Sequence, residues 1–300
     1  MTVIGITGST GHVGRRVAEQ LADLAPTLVV RDRTKAPAIA GSRTVVTDYG
    51  DASNAVRALE GVDILFMVSA AESKFRRVQH RTVIEAAAAA RVRHIVYTSF
   101  VGAAVDAVFT LGRDHADAEA TIRSSGMAFT LLRDNFYSDL LPYFADDAGI
   151  IRGPAADGRV AAVARADVAD AAAVILRDPA AHAGLTYDIT GPEALTMQEV
   201  AERAGAALGR TLSYCRETVE EAYMSRAHFG QEPWQLDAWV STYTAIAEGE
   251  TERVTDHVQR ITGHPARTIE TALAGHAVRP LPQFTAPPRS PAPRAGSPRR

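Results

Sequence analysis

The fold of this chain is decided by ten residues near its start, Gly5-Ile6-Thr7-Gly8-Ser9-Thr10-Gly11-His12-Val13-Gly14. Gly8 allows a tight turn from an apolar strand into a helix, Gly11 lets the backbone approach a pyrophosphate, and Gly14 lets the helix pack closely on the strand. The N–H groups and the positive end of the helix dipole would then hold the phosphates. The residues predicted to hold a dinucleotide here are Gly8, Ser9, Thr10, Gly11, His12, Val13 and Gly14.

Apolar strands and helical segments alternate through the first 135 residues. The strands lack polar alternation, which is typical of strands buried on both faces. Strands separated by helices imply right-handed βαβ units, so we expect an α/β fold with a doubly wound parallel Rossmann sheet. The predicted strands are 2–7, 27–31, 43–47, 62–68, 92–99 and 128–133, and the predicted helices are 11–25, 74–91 and 113–125.

The regular alternation ends near residue 135, and a smaller substrate lobe is expected to follow. Thr196 and Glu199 have the spacing of a capping box, which predicts the start of a helix. The other elements predicted in this half are strands at 149–152 and 185–190 and helices at 165–176, 196–208 and, for the most part, 217–276.

Three segments are expected from this change in pattern. Residues 1–150 would form the NAD(P)-binding Rossmann domain. Residues 151–284 would form the smaller lobe and return some elements to the main sheet. Residues 285–300 contain five prolines, four arginines and no acid, so they are expected to be a disordered tail.

Composition excludes several classes of protein. Lys and Arg total 32 against 35 for Asp and Glu, a net charge of −3, so nucleic acid is not expected as a partner. The one cysteine, Cys215, excludes an internal disulfide and a cysteine-based metal site, and no metal is expected. Neither a membrane span nor a basic signal region is apparent, so we expect a cytoplasmic protein.

The end of the second predicted strand bears on the choice of cofactor. An acid there would bind the ribose 2′-hydroxyl of NAD, whereas a basic residue favours the 2′-phosphate of NADP. Arg31 directly follows the apolar run, and Asp32, Arg33 and Lys35 come next. Three cations against one acid predict NADP(H), with NADPH preferred over NADH and with Arg31 and Arg33 near the phosphate. Asp32 keeps NAD open as the alternative.

Two further segments at strand ends are predicted to contact the cofactor. Asp48, after the third strand, can accept from an adenine amino group, and Asp51 beyond it is expected to cap the next helix. After the fourth strand come Ser69, Ala70 and Ala71. Their small side chains would leave room for the cofactor's ribose in the crevice of an open α/β sheet.

The Tyr-x-x-x-Lys pair of ordinary short-chain dehydrogenases is absent. Lysine occurs only at Lys35 and Lys74, and the tyrosine would have to stand where Arg31 and Ala70 are found. In that pair the lysine depresses the tyrosine pKa so that the phenol can exchange a proton. Its absence disfavours alcohol dehydrogenation and epimerisation, and it favours hydride transfer to a quinone or a similar flat electrophile.

The nicotinamide end is expected beside the residues that follow the fifth and sixth strands. Tyr137 is the candidate hydroxyl for proton donation or substrate orientation, and His115, on a helix near the same edge, is the candidate general acid. The residues expected to line this end are Thr98-Ser99-Phe100 and Asp134-Asn135-Phe136-Tyr137-Ser138, and those predicted to contact the cofactor are Asn135, Phe136, Tyr137 and Ser138. The aromatic residues that could form a flat apolar pocket, or else belong to the core, are Phe100, Phe136, Tyr143 and Phe144.

These features together resemble the NmrA-like family of atypical short-chain dehydrogenases/reductases, and within it the bacterial quinone reductases. The resemblance covers about residues 3 to 275 and implies a Rossmann domain, a small substrate lobe and NADPH bound at the glycine turn. It also implies Arg31 at the 2′-phosphate, 69–71 at the ribose and 135–140 beside the nicotinamide. The motifs that carry it are Thr7-Gly8-Ser9-Thr10-Gly11, Val30-Arg31, Asp48-Tyr49-Gly50-Asp51, Gln79-His80-Arg81, Tyr97-Thr98-Ser99, Thr130-Leu131-Leu132-Arg133, Tyr137-Ser138, Arg165-Ala166-Asp167 and Gly263-His264-Pro265.

The chain departs from those quinone reductases at positions near the expected substrate. Ala70 and Ala71 replace serines, Ala120 replaces a lysine that follows Glu119, and Leu140 replaces an asparagine. The family's cofactor site therefore carries over, whereas its substrate and proton donor do not.

Two functions fit these residues. The preferred one is an NADPH-dependent oxidoreductase that transfers hydride to a small quinone-like molecule. The alternative is a non-catalytic NADP-sensing regulatory protein that binds a protein partner, which would bind the dinucleotide tightly without acceptor-dependent oxidation. An isomerase or epimerase would need the missing Tyr-x-x-x-Lys pair. Apolar-faced helical segments such as 232–246 could pair two copies of the chain into a homodimer.

Overall fold

A computed structural model describes residues 2–274 of the chain, and its strands and helices follow in the order expected of a nucleotide-binding α/β protein. The strands are β1 (Ile4–Thr7), β2 (Thr27–Val30), β3 (Thr44–Val46), β4 (Ile64–Met67), β5 (His94–Phe100), β6 (Ala128–Asp134), β7 (Ile150–Gly153), β8 (Arg159–Val160), β9 (Thr186–Ile189), β10 (Leu195–Thr196) and β11 (Ser213–Arg216). The helices are α1 (His12–Gln20), α2 (Ala52–Leu59), α3 (Arg76–Ala89), α4 (Thr110–Ser124), α5 (Arg165–Arg177), α6 (Met197–Leu208), α7 (Val219–Arg226), α8 (Pro233–Ala247), α9 (His257–Thr262) and α10 (Ile269–Leu273).

Seven parallel strands form the main sheet, in the order β3-β2-β1-β4-β5-β6-β9. The order of the strands reverses between β1 and β4, and an open sheet binds its ligand at the carboxyl ends of the strands at such a point. The predicted doubly wound parallel fold is therefore confirmed, and the fold alone directs attention to one edge of the sheet.

Helices cover both faces of this sheet because its strands are apolar on both sides. α1 and α5 pack on one face, where Ile6, Val17 and Ile175 are fully buried. α2, α3 and α4 pack on the other face, where Ile84 and Ile122 are fully buried. Burial of one such aliphatic side chain contributes about 1.5–3 kcal/mol to folding, so the two faces hold the strand ends in fixed positions.

The second half of the chain completes the first half as well as forming a lobe of its own. β9 pairs with β6 at the edge of the main sheet, and α5 and α9 contribute Val168, Ile175 and Val258 to the core beside α1. The lobe has a separate core around α6 and α8, with β7 paired to β11 and β8 paired to β10. The division at residue 150 stays a prediction, and the predicted tail at 285–300 lies outside the described residues.

Several local predictions are confirmed or corrected by the structure. Thr196 begins α6 with a reciprocal capping box to Glu199, and Asp51 caps α2 by accepting from the backbone N–H of Asn54 at 3.0 Å. The first helix is shorter than predicted, because it ends at Gln20 and a 3-10 turn over Ala22–Leu24 leads into β2. The short strands β8, β10 and β11 were not predicted.

Two features of the helices bear on partners. α8 turns Ala238, Val240 and Ile246 into the protein's own interior, so these three residues are not available to pair two copies. The expectation of a homodimer through 232–246 stays a prediction. Among residues 2–274, no helix is both long and apolar enough to cross a bilayer.

Candidate active site

The glycine turn has the close contacts that its spacing predicts. Gly8 has a left-handed backbone with φ of +63°, and a Cβ there would lie 2.9 Å from the Cβ of Val68. A Cβ on Gly14 would lie 2.4 Å from the carbonyl oxygen of Gly8. Real side chains are excluded at such distances, so Gly8 and Gly14 are required for α1 to start where it does.

The start of α1 has the chemistry to hold an anionic phosphate. Gly11 stands at the N-cap, no side chain caps the helix, and the first turn carries no acid. Ser9 is fully buried in the turn, and its hydroxyl has no hydrogen-bond partner among residues 2–274. Because a buried hydroxyl without a partner costs free energy, and because helix N-termini favour anions, this turn fits a dinucleotide pyrophosphate. Thr10, His12 and Val13 complete the turn as predicted for the site.

Directly after β2, the side chains of Asp32 and Arg31 lie in different environments. Asp32 caps the 3-10 turn over Arg33–Lys35, with its carboxylate accepting from the N–H of Thr34 at 3.0 Å and from its hydroxyl at 2.7 Å. These hydrogen bonds from Thr34 hold the pKa of Asp32 below its ordinary value. Arg31 and Arg33 are exposed at the end of the strand. The carboxylate of Asp32 is thus bound within its own turn, whereas the side chains of Arg31 and Arg33 are exposed to solvent.

The segment after β3 is built around two local hydrogen bonds. Asp48 accepts from the N–H of Gly50 at 2.8 Å, and its side chain thereby stabilises the turn that precedes α2. Tyr49 donates its hydroxyl to the carbonyl of Val68 at 2.9 Å. No role was predicted for Tyr49 from the sequence. Its hydrogen bond connects the segment after β3 to the residue that follows β4.

The loop after β4 is fixed through its backbone rather than its side chains. The N–H of Ser69 donates to the hydroxyl of Thr98 at 2.8 Å. The N–H of Ala70 donates to Nε2 of His80 at 2.9 Å, and Nε of Arg76 donates to the carbonyl of Ala70 at 2.9 Å. The small residues Ser69, Ala70 and Ala71 therefore have a rigid backbone, as a surface that lines a ribose needs.

His115 lies in a buried polar cluster beneath that loop. Its Nε2 accepts from the guanidinium of Arg76 at 2.9 Å, because an arginine can only donate, and its Nδ1 lies 3.0 Å from the hydroxyl of Tyr97. Burial, and then the charge of Arg76, lowers the pKa of His115 well below its ordinary value. The same causes lower the pKa of His80 to about 3. His115 is thus neutral with both nitrogens engaged, so the geometry does not support the predicted general acid.

The residues after β6 fall into two groups. Asn135 is buried, donating to the carbonyl of Thr251 at 2.8 Å and accepting from the N–H of Phe136 at 2.8 Å, so its side chain is committed to the backbone. Ser138 is also buried, and its hydroxyl has no hydrogen-bond partner among residues 2–274. Ser138 can therefore bind a ligand group, whereas the amide nitrogen and the amide oxygen of Asn135 each bind a backbone group.

Tyr137 forms a short hydrogen bond with a buried acid. Its hydroxyl donates to the carboxylate of Asp134 at 2.5 Å. Burial raises the pKa of Asp134 to about 7, even though the hydrogen bond from Tyr137 acts in the opposite direction. Burial and the neighbouring Asp134 raise the pKa of Tyr137 well above its ordinary value. Asp134 and Tyr137 were both expected at this strand end, but their hydrogen bond was not predicted from the sequence.

Three phenylalanines cluster at the carboxyl ends of β5 and β6. The ring centroids of Phe100 and Phe136 lie 4.9 Å apart, and Phe109 lies 4.9 and 5.2 Å from them. Phe144 instead packs against Tyr243 in the core of the lobe, at 6.5 Å. Of the two alternatives left open by the sequence, the structure supports a core position for Phe100 and for Phe144. Phe136 is partly exposed, and Phe109, which was not predicted, is buried in the same cluster as Phe100.

α8 lies across the same edge of the sheet. Near its start it contacts the loop after β4, where Glu72 accepts from the indole of Trp239 at 3.2 Å and Lys74 pairs with Glu232 at 3.2 Å. Further along, its Ser241 accepts from the backbone N–H of Thr110 at 3.1 Å. The helix thus spans from the ribose loop to the first turn of α4 and borders the phenylalanine cluster.

A second buried carboxylate, Glu119, lies on α4 behind the cluster. It accepts from the hydroxyl of Ser99 at 2.6 Å and from two nitrogens of Arg133 at 2.8 and 2.7 Å. The sequence alone shows only that no lysine follows Glu119. The hydrogen-bond partners of Glu119 could not be identified from it, because Ser99 and Arg133 lie on two different strands.

One group of acids and histidine in the described part of the chain has a spacing that could hold a metal, namely Asp167, Asp170 and His264. Arg267 binds both carboxylates, and Arg16 and Gln20 donate to Asp170. Arginines therefore already occupy the oxygens that a cation would need.

Comparisons with known proteins agree with the fold and identify the family of the chain. A family model described as NAD(P)H-binding matches residues 8–179. Quinone oxidoreductase 2 of Escherichia coli (strain K12) is 32% identical over 91% of this chain and 98% of its own length. The NAD(P)H azoreductase of Xenophilus azovorans is 32% identical over 92% of this chain and 98% of its own. The crystal structure of the E. coli NADPH-dependent quinone oxidoreductase complexed with NADPH has a TM-score of 0.80 at 32% identity, covering 89% of this chain and 97% of that one.

Proposed function

The chain belongs to the NAD(P)H-binding family and is an oxidoreductase that uses a nicotinamide cofactor, and on this premise we propose an NADPH-dependent reductase of quinones or similarly flat, electron-poor molecules. The observation that carries the proposal is the placement of the phenylalanine cluster (Phe100, Phe109 and Phe136) at the same sheet edge as the glycine turn. Phe100 and Phe109 are buried in this cluster and Phe136 is partly exposed, so a flat acceptor would contact the cluster at the ring of Phe136, beside a bound nicotinamide. We place the protein in the cytoplasm, with a small molecule as its partner.

Each segment at the carboxyl edge of the sheet would bind one part of the cofactor. The turn from Gly8 to Gly14 would hold the pyrophosphate, the loop 69–71 would line the ribose, and residues 135–138 would flank the nicotinamide. Arg31 would pair with the 2′-phosphate, which Asp32 does not oppose because its oxygens face Thr34. Asp48 would stay near the adenine.

A bound nicotinamide supplies a hydride to the acceptor. The protein's own residues then have three tasks: to hold the acceptor flat, to exclude water, and to deliver a proton to the oxygen that gains negative charge. Phe136, packed against the buried rings of Phe100 and Phe109, would perform the first two, and Tyr137 would perform the third. Such a reaction does not need the Tyr-x-x-x-Lys pair, because a quinone is already electrophilic and requires no base to activate it.

The experiment is NADPH and NADH oxidation by the purified protein, with and without benzoquinones and naphthoquinones. We expect quinone-dependent oxidation that prefers NADPH. Arg31→Ala should raise the KM for NADPH by about 10- to 100-fold, as loss of hydrogen bonds to a charged phosphate does, and should leave the KM for NADH unchanged. Arg33→Ala, the matched control one residue beyond Asp32, should have the smaller effect.

Two results would contradict the proposal. Tight NADPH binding without turnover on any acceptor would replace the reductase with the cofactor-sensing regulator. Equal or better use of NADH would leave the reductase standing and would show that Asp32, not Arg31, contacts the adenosine ribose.

A further inference from the structure

We propose that Asp134 and Tyr137 form a proton relay, in which Tyr137 gives its hydroxyl proton to the reduced acceptor and Asp134 replaces that proton. The proposal rests on the reductase function above and goes beyond it by naming the source of the proton. Proton donation was predicted for Tyr137 without a partner, and a lone buried phenol is a poor proton donor at neutral pH.

The position of the pair fits this task. Asp134 is the last residue of β6, directly beside Phe100 on β5, and Tyr137 follows three residues later next to Phe136. Asp134 is buried, whereas Tyr137 is only partly buried. The phenol therefore connects an interior carboxyl group to the sheet edge at which the acceptor would lie.

Asp134 lacks the cation that usually accompanies a buried carboxylate. Among residues 2–274, no arginine, lysine or histidine lies within ion-pair distance of it, and Tyr137 is its one side-chain hydrogen-bond partner. The charged and titratable groups that face it are Arg76 from α3 and Tyr97 from β5. Those that face Tyr137 are Arg165 from α5 and Asp139 from the loop after β6, which pair with each other at 2.8 Å. A buried carboxylate without a cation is costly when it is charged, so this site favours the protonated form.

The two protonation states of Asp134 give Tyr137 two different roles. Burial raises the pKa of Asp134 to about 7, so both states are populated near neutral pH. The ionised carboxylate accepts the phenol proton, which then points into the protein. The protonated carboxyl group can instead donate to the phenol oxygen, which frees the phenol proton to point towards the acceptor.

The proton balance of the step closes without another reactant. The acceptor that has gained a hydride carries one negative charge on oxygen. The O–H bond of Tyr137 breaks and a new O–H bond forms on the acceptor, while the proton of Asp134 moves to the phenol oxygen. Water then reprotonates Asp134, and the sum is one proton taken up for each hydride transferred.

Other buried groups nearby are unsuited to this role. His115 is neutral, and Arg76 occupies its Nε2. Glu119 is bound by Arg133 and Ser99 on the opposite face of the sheet. The pair of Asp134 and Tyr137 is therefore the source of protons that the described residues offer beside the phenylalanine cluster.

The test combines kinetics with a direct titration of the carboxyl group. With NADPH bound in advance, the single-turnover rate of quinone reduction should fall as pH rises from about 6 to about 8.5, following loss of the proton from Asp134. Asp134→Asn should remove this pH dependence, because an amide does not titrate. Tyr137→Phe should lower the rate by about 100-fold. The neighbours Asp188→Asn and Tyr187→Phe on β9 are the matched controls and should keep the wild-type profile.

The second measurement does not depend on activity. Infrared difference spectra between about pH 6 and about pH 8.5 should show a protonated carboxyl band that is lost in Asp134→Asn. In Tyr137→Phe this band should persist to higher pH, because the hydrogen bond from Tyr137 lowers the pKa of Asp134. An active wild type whose pH profile survives Asp134→Asn would overturn the relay alone. A wild type that reduces no acceptor would overturn the reductase and the relay together. An Asp134 band that is absent above about pH 5 would overturn the relay whatever the rates.

Discussion

Glu119 and Asp134 are two carboxylates buried to the same degree, at 4% and 5% exposure, but they are partnered in opposite ways. Glu119 accepts hydrogen bonds from the hydroxyl of Ser99 and from two guanidinium nitrogens of Arg133. Asp134 accepts from a single phenol. A buried charge with a matched cation stays charged and holds structure together, whereas one without a cation keeps a proton that it can exchange. The comparison teaches that burial alone does not tell a structural acid from a reactive one.

The strand β6 separates the two environments. Arg133 and Asp134 are consecutive residues, and successive side chains on a strand point to opposite faces of the sheet. Arg133 therefore reaches Glu119 on α4, while Asp134 faces the side on which Tyr137 packs against the core beside α1 and α5. A shift of one residue in the pairing of β6 would exchange these two environments.

The largest effect should come from removing the titration of Asp134. Its pKa is raised from the ordinary 3.8 to about 7 in the folded protein, so the wild type loses stability as pH rises from about 4 to about 7. Asp134→Asn does not titrate, and its free energy of unfolding should gain up to about 4 kcal/mol relative to wild type across that range. Urea denaturation at about pH 4 and about pH 8 measures the change.

Asp188→Asn is the control for this experiment, because Asp188 pairs with Arg253 and lies partly exposed on the neighbouring strand β9. It should not reproduce the gain. If the free energy of unfolding of Asp134→Asn changed with pH in the same way as that of the wild type, Asp134 would not have a raised pKa in the folded protein. The contrast between Asp134 and Glu119 would then be wrong.

The next largest effect should come from Glu119→Gln. The amide keeps the shape of the side chain but leaves Arg133 without its counter-charge, and breaking a buried ion pair costs about 3 kcal/mol. Urea denaturation should show this loss at about pH 6 and about pH 8 alike, since a neutral amide cannot replace the counter-charge of Arg133 at either pH. A loss that varied with pH as strongly as that of Asp134 would make the two acids equivalent.

The smallest effect should come from Ser99→Ala. The hydroxyl of Ser99 donates to Glu119 at 2.6 Å, and a hydrogen bond to a charged group contributes about 1.5 kcal/mol. Thermal denaturation should show this smaller loss, with quinone reduction and its pH profile unchanged. A changed pH profile would mean that the Glu119 side of the sheet also controls the proton, which would contradict the division drawn here.

Most of the fold could be predicted because its signals are local. The glycine turn, the apolar runs of the main strands and the Thr196 capping box each lie within a few residues, and the resemblance that they carried is confirmed by the relatives. The strands β8, β10 and β11 could not be predicted, because they are two to four residues long and pair with partners far along the chain. The early end of α1 at Gln20 was also missed, because the 3-10 turn over Ala22–Leu24 keeps an apolar spacing close to that of the helix.

The candidate site was predictable in position but not in chemistry. Residues at strand ends follow from the order of the elements, so Arg31, Ser69 and Tyr137 could be named in advance. Their partners depend on register and on side-chain direction. The capping role of Asp32 and the neutral state of His115 both arise from neighbours that the pattern does not reveal. The raised pKa of Asp134 likewise could not be predicted, because it depends on burial without a neighbouring cation.

The entry of β9 into the main sheet has a consequence for synthesis on the ribosome. When the first 150 residues have emerged, β6 is still an open edge and α1 still lacks the cover of α5, since those elements lie at Thr186–Ile189 and Arg165–Arg177. An open strand edge beside uncovered apolar side chains invites association with other chains. The nascent chain is therefore most open to such association before α5 and β9 have left the exit tunnel.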